Sequence, residues 1–353
     1  MPFAAIPEQA GAKRLLSAAL ADGPANAYLL HGPPGVGKTA AARAFAAAII
    51  GNEELSRGRR SVHPDLYVLE PLGEMIRIDE IRAMRRDLHM RPFEADRRVY
   101  LILEADRLNA DAADALLKDL EEPPAYATML LVADELGPLP ETIRSRCQLV
   151  SFHRLSDAAV RAWLAERDSS LDETMVTAIA RGAGGRLDRA ERLLDPEYVE
   201  ARRRLVDTAR SAYLDAGFDP ARAATVVLDA MASAGKRAKE LEETEVERRE
   251  LTGRDAEQRV RRAQRGAERD ELLSSLESLA AWYRDLVVVS AGAEATATYA
   301  DRLADLRNDA DRGVAAERAA EIVRAAWRAA EEFNVNPSLA LEALFVRLQR
   351  VFA

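Results

Sequence analysis

The chain is poor in cysteine, with one in 353 residues, and in histidine, with four. A lone Cys147 excludes an internal disulfide framework and a cysteine-rich zinc site, and makes redox chemistry a poor expectation. Aromatic residues make up only 5%, and no apolar run approaches the length needed to cross a bilayer. The opening MPFAAIPEQAGAKRLL lacks the charged-then-apolar order of a secretion signal, so the reading places the chain in the cytoplasm. Basic charge is also in deficit: net charge is −9 and pI about 5.3, which argues against autonomous binding to a polyanion such as DNA. What the chain does have is 48% hydrophobic residues, enough for two or three packed domains.

The first part alternates short β-type runs with helical stretches, the pattern of an α/β domain whose parallel sheet is covered by helices. AYLLH (27–31), DLYVLE (65–70), RRVYLIL (97–103), TMLLVAD (128–134) and QLVSF (148–152) read as strands. An Ala-rich helix follows the first strand and another begins at Ile78; Asn109 is placed to cap a third, which Pro123 and Pro124 stop. A short helix carries PETIRSRC. The α/β domain, an expected parallel five-stranded sheet, is placed at residues 1–155.

From Ser156 onward apolar residues recur at three- and four-residue spacing, as in Val160, Trp163, Leu164 and Met175, Val176, Ile179, so the remainder is expected to be all-α. A small helical domain is assigned to 156–195, with Asp195-Pro196 as a hinge, and a larger helical domain to 196–353. Within the latter, residues 236–270 are mixed in charge with few apolar positions and read as an exposed helical arm, while the closing NPSLALEALFVRLQRVF is amphipathic and needs a packing partner.

HGPPGVGKTA, between a predicted strand and a predicted helix, satisfies G-x-x-x-x-G-K-T. Gly32, Pro33, Gly35, Val36, Gly37, Lys38, Thr39 and Ala40 are the candidate phosphate cradle. Its glycines let backbone N–H groups converge at a helix N-terminus, Lys38 reaches the β- and γ-phosphates, and Thr39 is the candidate Mg²⁺ ligand. ATP or ADP with Mg²⁺ is therefore the expected cofactor. Hydrolysis also requires an acidic pair at the end of a neighbouring strand, yet VYLILEAD places Leu103 and Glu104 there. Glu104 is a degenerate candidate, and Asp106 could serve only if the strand ended early.

Three further stretches narrow this reading: ALLKDLEEPP (115–124), ETIRSRC (141–147) and NPSLALEALFVRL (336–348). Together they resemble the bacterial DNA polymerase III clamp-loader subunits, a family of AAA+ proteins. The resemblance implies a P-loop domain, a small helical lid and a helical collar in a hetero-oligomeric ring with motor and delta subunits, acting on a sliding clamp and primed DNA in the replisome at the nucleoid. It also implies that Arg146, in Ser-Arg-Cys, is an arginine finger given in trans to a neighbouring subunit's ATP, with Arg144 as the local alternative.

Within that family several departures are those of the non-motor, delta-prime type. Leu103 breaks the acidic pair, and Ala133-Asp134 stands where the motor carries a polar sensor. GGRLDRAE places Asp188 where the motor has its second sensor arginine, with Arg189 one residue out of register. The segment GNEELSRGRRSVHP lacks the four cysteines of the zinc module many relatives carry, so no zinc is expected and His63 is assigned to a turn. Two competing readings remain: an active ATPase motor using Glu104 and Asp106, and an independent DNA-binding protein.

Overall fold

The computed structural model describes residues 2–52, 55, 63–71, 73–248, 252–333 and 335–353, and most of the GNEELSRGRRSVHP segment lies outside them. Two compact units emerge, one of residues 1–167 with 185–188, the other of 168–184 with 189–353.

In the first unit, β1 (Ala27–His31), β2 (Leu66–Leu69), β3 (Arg98–Ile102), β4 (Ala127–Ala133) and β5 (Gln148–Ser151) form a five-stranded sheet in the order β2-β3-β4-β1-β5. All of its pairings are parallel. The unit's helices are α1 (Ala10–Asp22), which precedes β1, α2 (Lys38–Ile50), α3 (Ile78–Leu88), α4 (Ala110–Glu121) and α5 (Glu141–Arg144) between strands, and α6 (Asp157–Arg167) after β5.

The strands read as continuous apolar runs because both faces of the sheet are covered. Tyr28 and Leu30, Val99 and Leu101, and Leu130 and Val132 pack against α1 and α2 residues such as Leu16 and Phe45. Their alternates Leu29, Tyr100, Ile102, Met129 and Leu131 pack against Ile81, Met84 and Leu116 of α3 and α4. Local signals set the ends of these helices. Asn109 accepts from the Ala112 amide at the start of α4, and Glu80 reaches back to the Arg77 amide at the start of α3.

Because β1 lies between β4 and β5 and its crossover runs to the far edge, the strand order reverses at β1. In open α/β sheets the crevice beyond the C-terminal strand ends at such a point is where ligands bind.

The second unit is helical: α7 (Glu173–Ala183), the later part of α8 (Leu187–Arg192), α9 (Pro196–Leu214), α10 (Pro220–Arg248), α11 (Gly253–Ser290), α12 (Leu303–Asn308), α13 (Gly313–Glu332) and α14 (Pro337–Phe352). Its core gathers Val206 and Ala209 of α9, Val227 of α10, Trp282 and Tyr283 of α11, Val323 of α13 and Phe345 of α14. The amphipathic closing segment thus packs inside its own unit through Leu341, Leu344, Phe345 and Leu348. Asp195 and Asn336 cap α9 and α14, each followed by proline in the first turn.

The mixed-charge segment forms the distal parts of α10 and α11, which run antiparallel; Gly235 meets Glu268, and Arg259 pairs with Glu242. Among the described residues no helix is long and apolar enough to cross a membrane.

Candidate phosphate-loop site

The loop leaves β1 at Gly32, where backbone crowding decides the residue. Phe152 donates its amide to the His31 carbonyl at 2.8 Å, and a Cβ on Gly32 would sit 2.2 Å from the Phe152 carbonyl oxygen. Only glycine permits that approach. Gly35 has φ +70°, a left-handed conformation costly for other residues. Val36 is buried, Pro33 is half-buried, and Thr39 and Ala40 are exposed at the start of α2. Lys38 opens α2 and is only 4% exposed. Its Nζ donates to the Gly32 and Pro33 carbonyls, each at 2.6 Å, and lies 2.7 Å from Asp134 Oδ1.

Strand register explains that last contact. His31 pairs with Ala133 across β1 and β4, so the next residues, Gly32 and Asp134, leave the sheet side by side. His31 itself is held by Ser151, with Oγ and Nε2 3.0 Å apart. Burial, with the neighbouring His153 and Lys38 charges, pushes its imidazole below the ordinary range and favours the neutral ring.

The end of β3 lies across β4 from the loop. The strand stops at Ile102, one residue earlier than expected, and Leu103 is buried. Glu104 does not point from a strand end. It adopts φ 50°, ψ 48° before a short 3₁₀ turn, and its Oε2 lies 2.8 Å from Arg107 Nε. Asp106, inside that turn, approaches the amides of Asp134 and Glu135, and burial together with the Asp134 charge raises its pKa. The structure thus gathers Lys38, Asp134 and Asp106 and leaves Glu104 committed to Arg107.

A second acid reaches the loop from α8. Asp188, in the same compact unit as the loop, rests against Gly35, whose Cβ position would be 1.7 Å from Asp188 Oδ1. The Leu187 amide donates to the Gly35 carbonyl at 2.7 Å, and Arg186 pairs with Asp188 at 2.8 Å. Arg189, one position on, pairs with Glu277 inside the second unit. Motif reading placed Asp134 and Asp188 only as substitutes at sensor positions. Their contact with the loop depends on strand register and on the fold of residues 185–188, which no local pattern encodes.

The loop fits a polyphosphate: its glycines open the cradle, and α2 offers its N-terminal amides. Thr39, the residue expected to hold Mg²⁺, is exposed at the start of α2. The partner carboxylate expected at the end of β3 is replaced by buried Leu103, so the donor set for the metal is incomplete there.

Arg146 stands just beyond the end of α5 and is exposed, whereas Ile143 within the helix is buried. Its Nη1 donates to the Thr142 carbonyl at 2.9 Å and its Nη2 lies 2.6 Å from Glu121 Oε1, with 34% of the side chain exposed. Arg144 is half-buried and its Nε has no hydrogen-bond partner. Cys147 is buried, which pushes its thiol up to about 12. The His63 Nδ1 accepts the Asp65 amide at 3.1 Å, closing a turn.

Residues 8–156 match the family model described as DNA polymerase III, delta subunit. The chain is 30% identical over 191 residues to DNA polymerase III subunit delta' of Bacillus subtilis, covering 51% of this chain and 57% of that protein. It is 32% identical over 196 residues to the delta' subunit of Pseudomonas aeruginosa, covering 52% and 60%. The stretch matched by the family model is the P-loop unit, and it is similar to DNA polymerase III delta' subunits. The likeness spans a little over half the length of these relatives. Among solved structures, the DNA polymerase III gamma subunit-related protein of Thermotoga maritima covers 97% of this chain and 100% of its own at 16% identity and TM-score 0.43.

Proposed function

We propose that this chain is the delta-prime-type subunit of a bacterial DNA polymerase III clamp loader. It takes a place in a hetero-oligomeric ring with motor and delta subunits and helps load the sliding clamp onto primed DNA. In this reading it does not hydrolyse ATP itself. It supplies Arg146 in trans to ATP held by a neighbouring motor subunit, where a guanidinium stabilises charge on the transferring phosphoryl group. Nucleotide bound at its own loop, with Mg²⁺ at Thr39, has a structural role.

The observation that carries this reading is the pairing of an intact G-x-x-x-x-G-K-T loop with a β3 end that offers buried Leu103 and a Glu104 tied to Arg107. Such a site can hold phosphate and lacks the acid that positions metal and water for its cleavage. Arg146 supports the second half of the reading: it is partly exposed, and its Glu121 partner is exposed too, so the pair can open toward another chain at small cost.

The test is steady-state ATP turnover. The purified chain should show no turnover above that of Lys38→Ala. A clamp loader reconstituted with Arg146→Ala should lose about 10³-fold or more of the turnover at the neighbouring site, the scale of an arginine finger. Lys38-dependent turnover by the chain alone would instead favour a motor in which Glu104 and Asp106, the latter close to Asp134, replace the usual acidic pair.

A further inference from the structure

The phosphate loop carries negative charge of its own. Asp134 Oδ1 lies 2.7 Å from Lys38 Nζ, and the Gly32 and Pro33 carbonyls take the ammonium at 2.6 Å each. A lysine ammonium has three protons to donate, so these partners use all of them. Asp188 sits against Gly35, held there by two hydrogen bonds from Arg186, at 3.2 and 2.8 Å, and by the Leu187 amide on the Gly35 carbonyl.

These positions bear unequally on the phosphates of a nucleotide. The lysine of a P-loop serves the β- and γ-phosphates, whereas backbone amides and the helix N-terminus cradle the inner ones. A terminal phosphate must therefore compete with Asp134 for Lys38 and then remain beside the displaced carboxylate, a like charge in a partly dry site. The β-phosphate of a diphosphate also competes for Lys38, but it draws on the loop amides and helix N-terminus as well and brings less negative charge beside Asp134 than a triphosphate does. Asp134 thus stands where an oxygen of the terminal phosphate would pair with the lysine.

We infer that Asp134, supported by Asp188, makes this loop a nucleoside-diphosphate site that discriminates against the triphosphate. The inference rests on the reading of the loop as a nucleotide site and goes beyond it by naming the ligand form and the residues that select it. The resting subunit then holds a diphosphate without needing a hydrolytic step to make one, which accommodates an intact P-loop in a chain without the acidic pair.

Calorimetric titration of the full chain with Mg-ADP and with a non-hydrolysable Mg-ATP analogue tests this, using wild type, Asp134→Asn, Asp188→Asn and the double variant. Thermal melting of each checks the fold. Asn keeps the shape and one acceptor at a position that is 43% exposed, so Asp134→Asn is a conservative change. Wild type is expected to bind ADP about tenfold or more tightly than the analogue, and Asp134→Asn to shrink that preference by about tenfold, chiefly by strengthening the analogue. Asp188→Asn should move the ratio in the same direction by less. Equal or tighter binding of the analogue to wild type would overturn the inference, as would an unchanged ratio in the variants or no nucleotide binding by any of the four proteins. These results are separable from the non-motor reading, which stands or falls on turnover by the chain alone and on Arg146→Ala in the reconstituted complex.

Discussion

Lys38 Nζ and Asp134 Oδ1 lie 2.7 Å apart at the C-terminal edge of the sheet, joining the first residue of α2 to the first residue beyond β4. The pair is asymmetric: the lysine is 4% exposed and the aspartate 43%. It links the phosphate loop to the strand end where the resemblance to a motor would place a polar sensor, and so makes the electrostatics of the loop depend on a residue far from it in sequence.

That asymmetry predicts unequal costs for removing either partner. Lys38→Met leaves Asp134 able to rehydrate, whereas Asp134→Ala leaves a buried ammonium with only two carbonyls for company. Asp134→Ala should cost about 2 kcal/mol, roughly twice the cost of Lys38→Met, once partial exposure of the acid is allowed for. Urea unfolding of both variants measures it, and a larger loss in Lys38→Met would contradict the account.

Gly35→Ala should be destabilising for two separable reasons. The φ of +70° accounts for about 1 to 2 kcal/mol, and the contact with Asp188 adds to that. In an Asp188→Ala background the Asp188 contribution should vanish, leaving the backbone cost and the tighter approach to Arg186 Cβ, at 3.1 Å. A double-mutant cycle in denaturant reads the difference; additivity would mean that Asp188 does not press on the loop.

Asp65 ties the approach to β3 and carries a pH dependence. It is fully buried and accepts from the amides of Phe93, Glu94 and Ala95 at 2.6, 2.8 and 2.9 Å. Burial alone would raise its pKa; the three amides and Arg98 outweigh it and hold the carboxyl below its usual value. A depressed folded-state pKa means stability that is complete above the unfolded value and lost as pH falls through the folded one. Asp65→Asn should therefore cost about 2 to 3 kcal/mol near neutral pH, with the gap to wild type closing below about pH 4. A gap that stays constant down to pH 2 would refute the carboxylate account.

The helical unit has a comparable anchor in Asp309, which is 2% exposed. Its Oδ2 accepts from Arg210 Nε and from the Tyr213 hydroxyl, both at 2.8 Å, and the Tyr213 oxygen in turn accepts from Trp282 Nε1 at 3.3 Å. Asp309→Ala strips a partly buried guanidinium of one of its two acids and should cost about 3 kcal/mol or more. Replacing both Arg210 and Asp309 with apolar residues should restore much of that loss, as seen by thermal melting.

Much of the first unit was legible because its signals are local. Alternating burial on two covered faces makes each strand a continuous apolar run, and Asn109 announces a helix start by satisfying its first free amides, whereas Asp195-Pro196, read as a hinge, turns out to cap α9. The boundary at β3 was less legible. RRVYLIL continues its apolar pattern through Leu103, but the backbone leaves the sheet after Ile102 because Glu104 turns left-handed into the 3₁₀ segment. Arg146 was legible as a motif residue, while its pairing with Glu121, twenty-five positions away in sequence, was not.

By itself the sequence determined the kind of chain this is: a G-x-x-x-x-G-K-T turn between strand and helix, an apolar sheet, a helical remainder, and the missing acid at Leu103. These are properties of residue type and short-range spacing, which backbone sterics and burial translate directly into structure. Only the tertiary structure decided what surrounds the phosphate loop. Parallel register between β1 and β4 delivers Asp134 to Lys38, and the fold of residues 185–188 brings Asp188 onto Gly35. In the sequence both acids stand only as departures from the motor's sensor residues. They become part of the site because strand order brings Asp134 to a lysine that has little access to water, and loop closure brings Asp188 against Gly35.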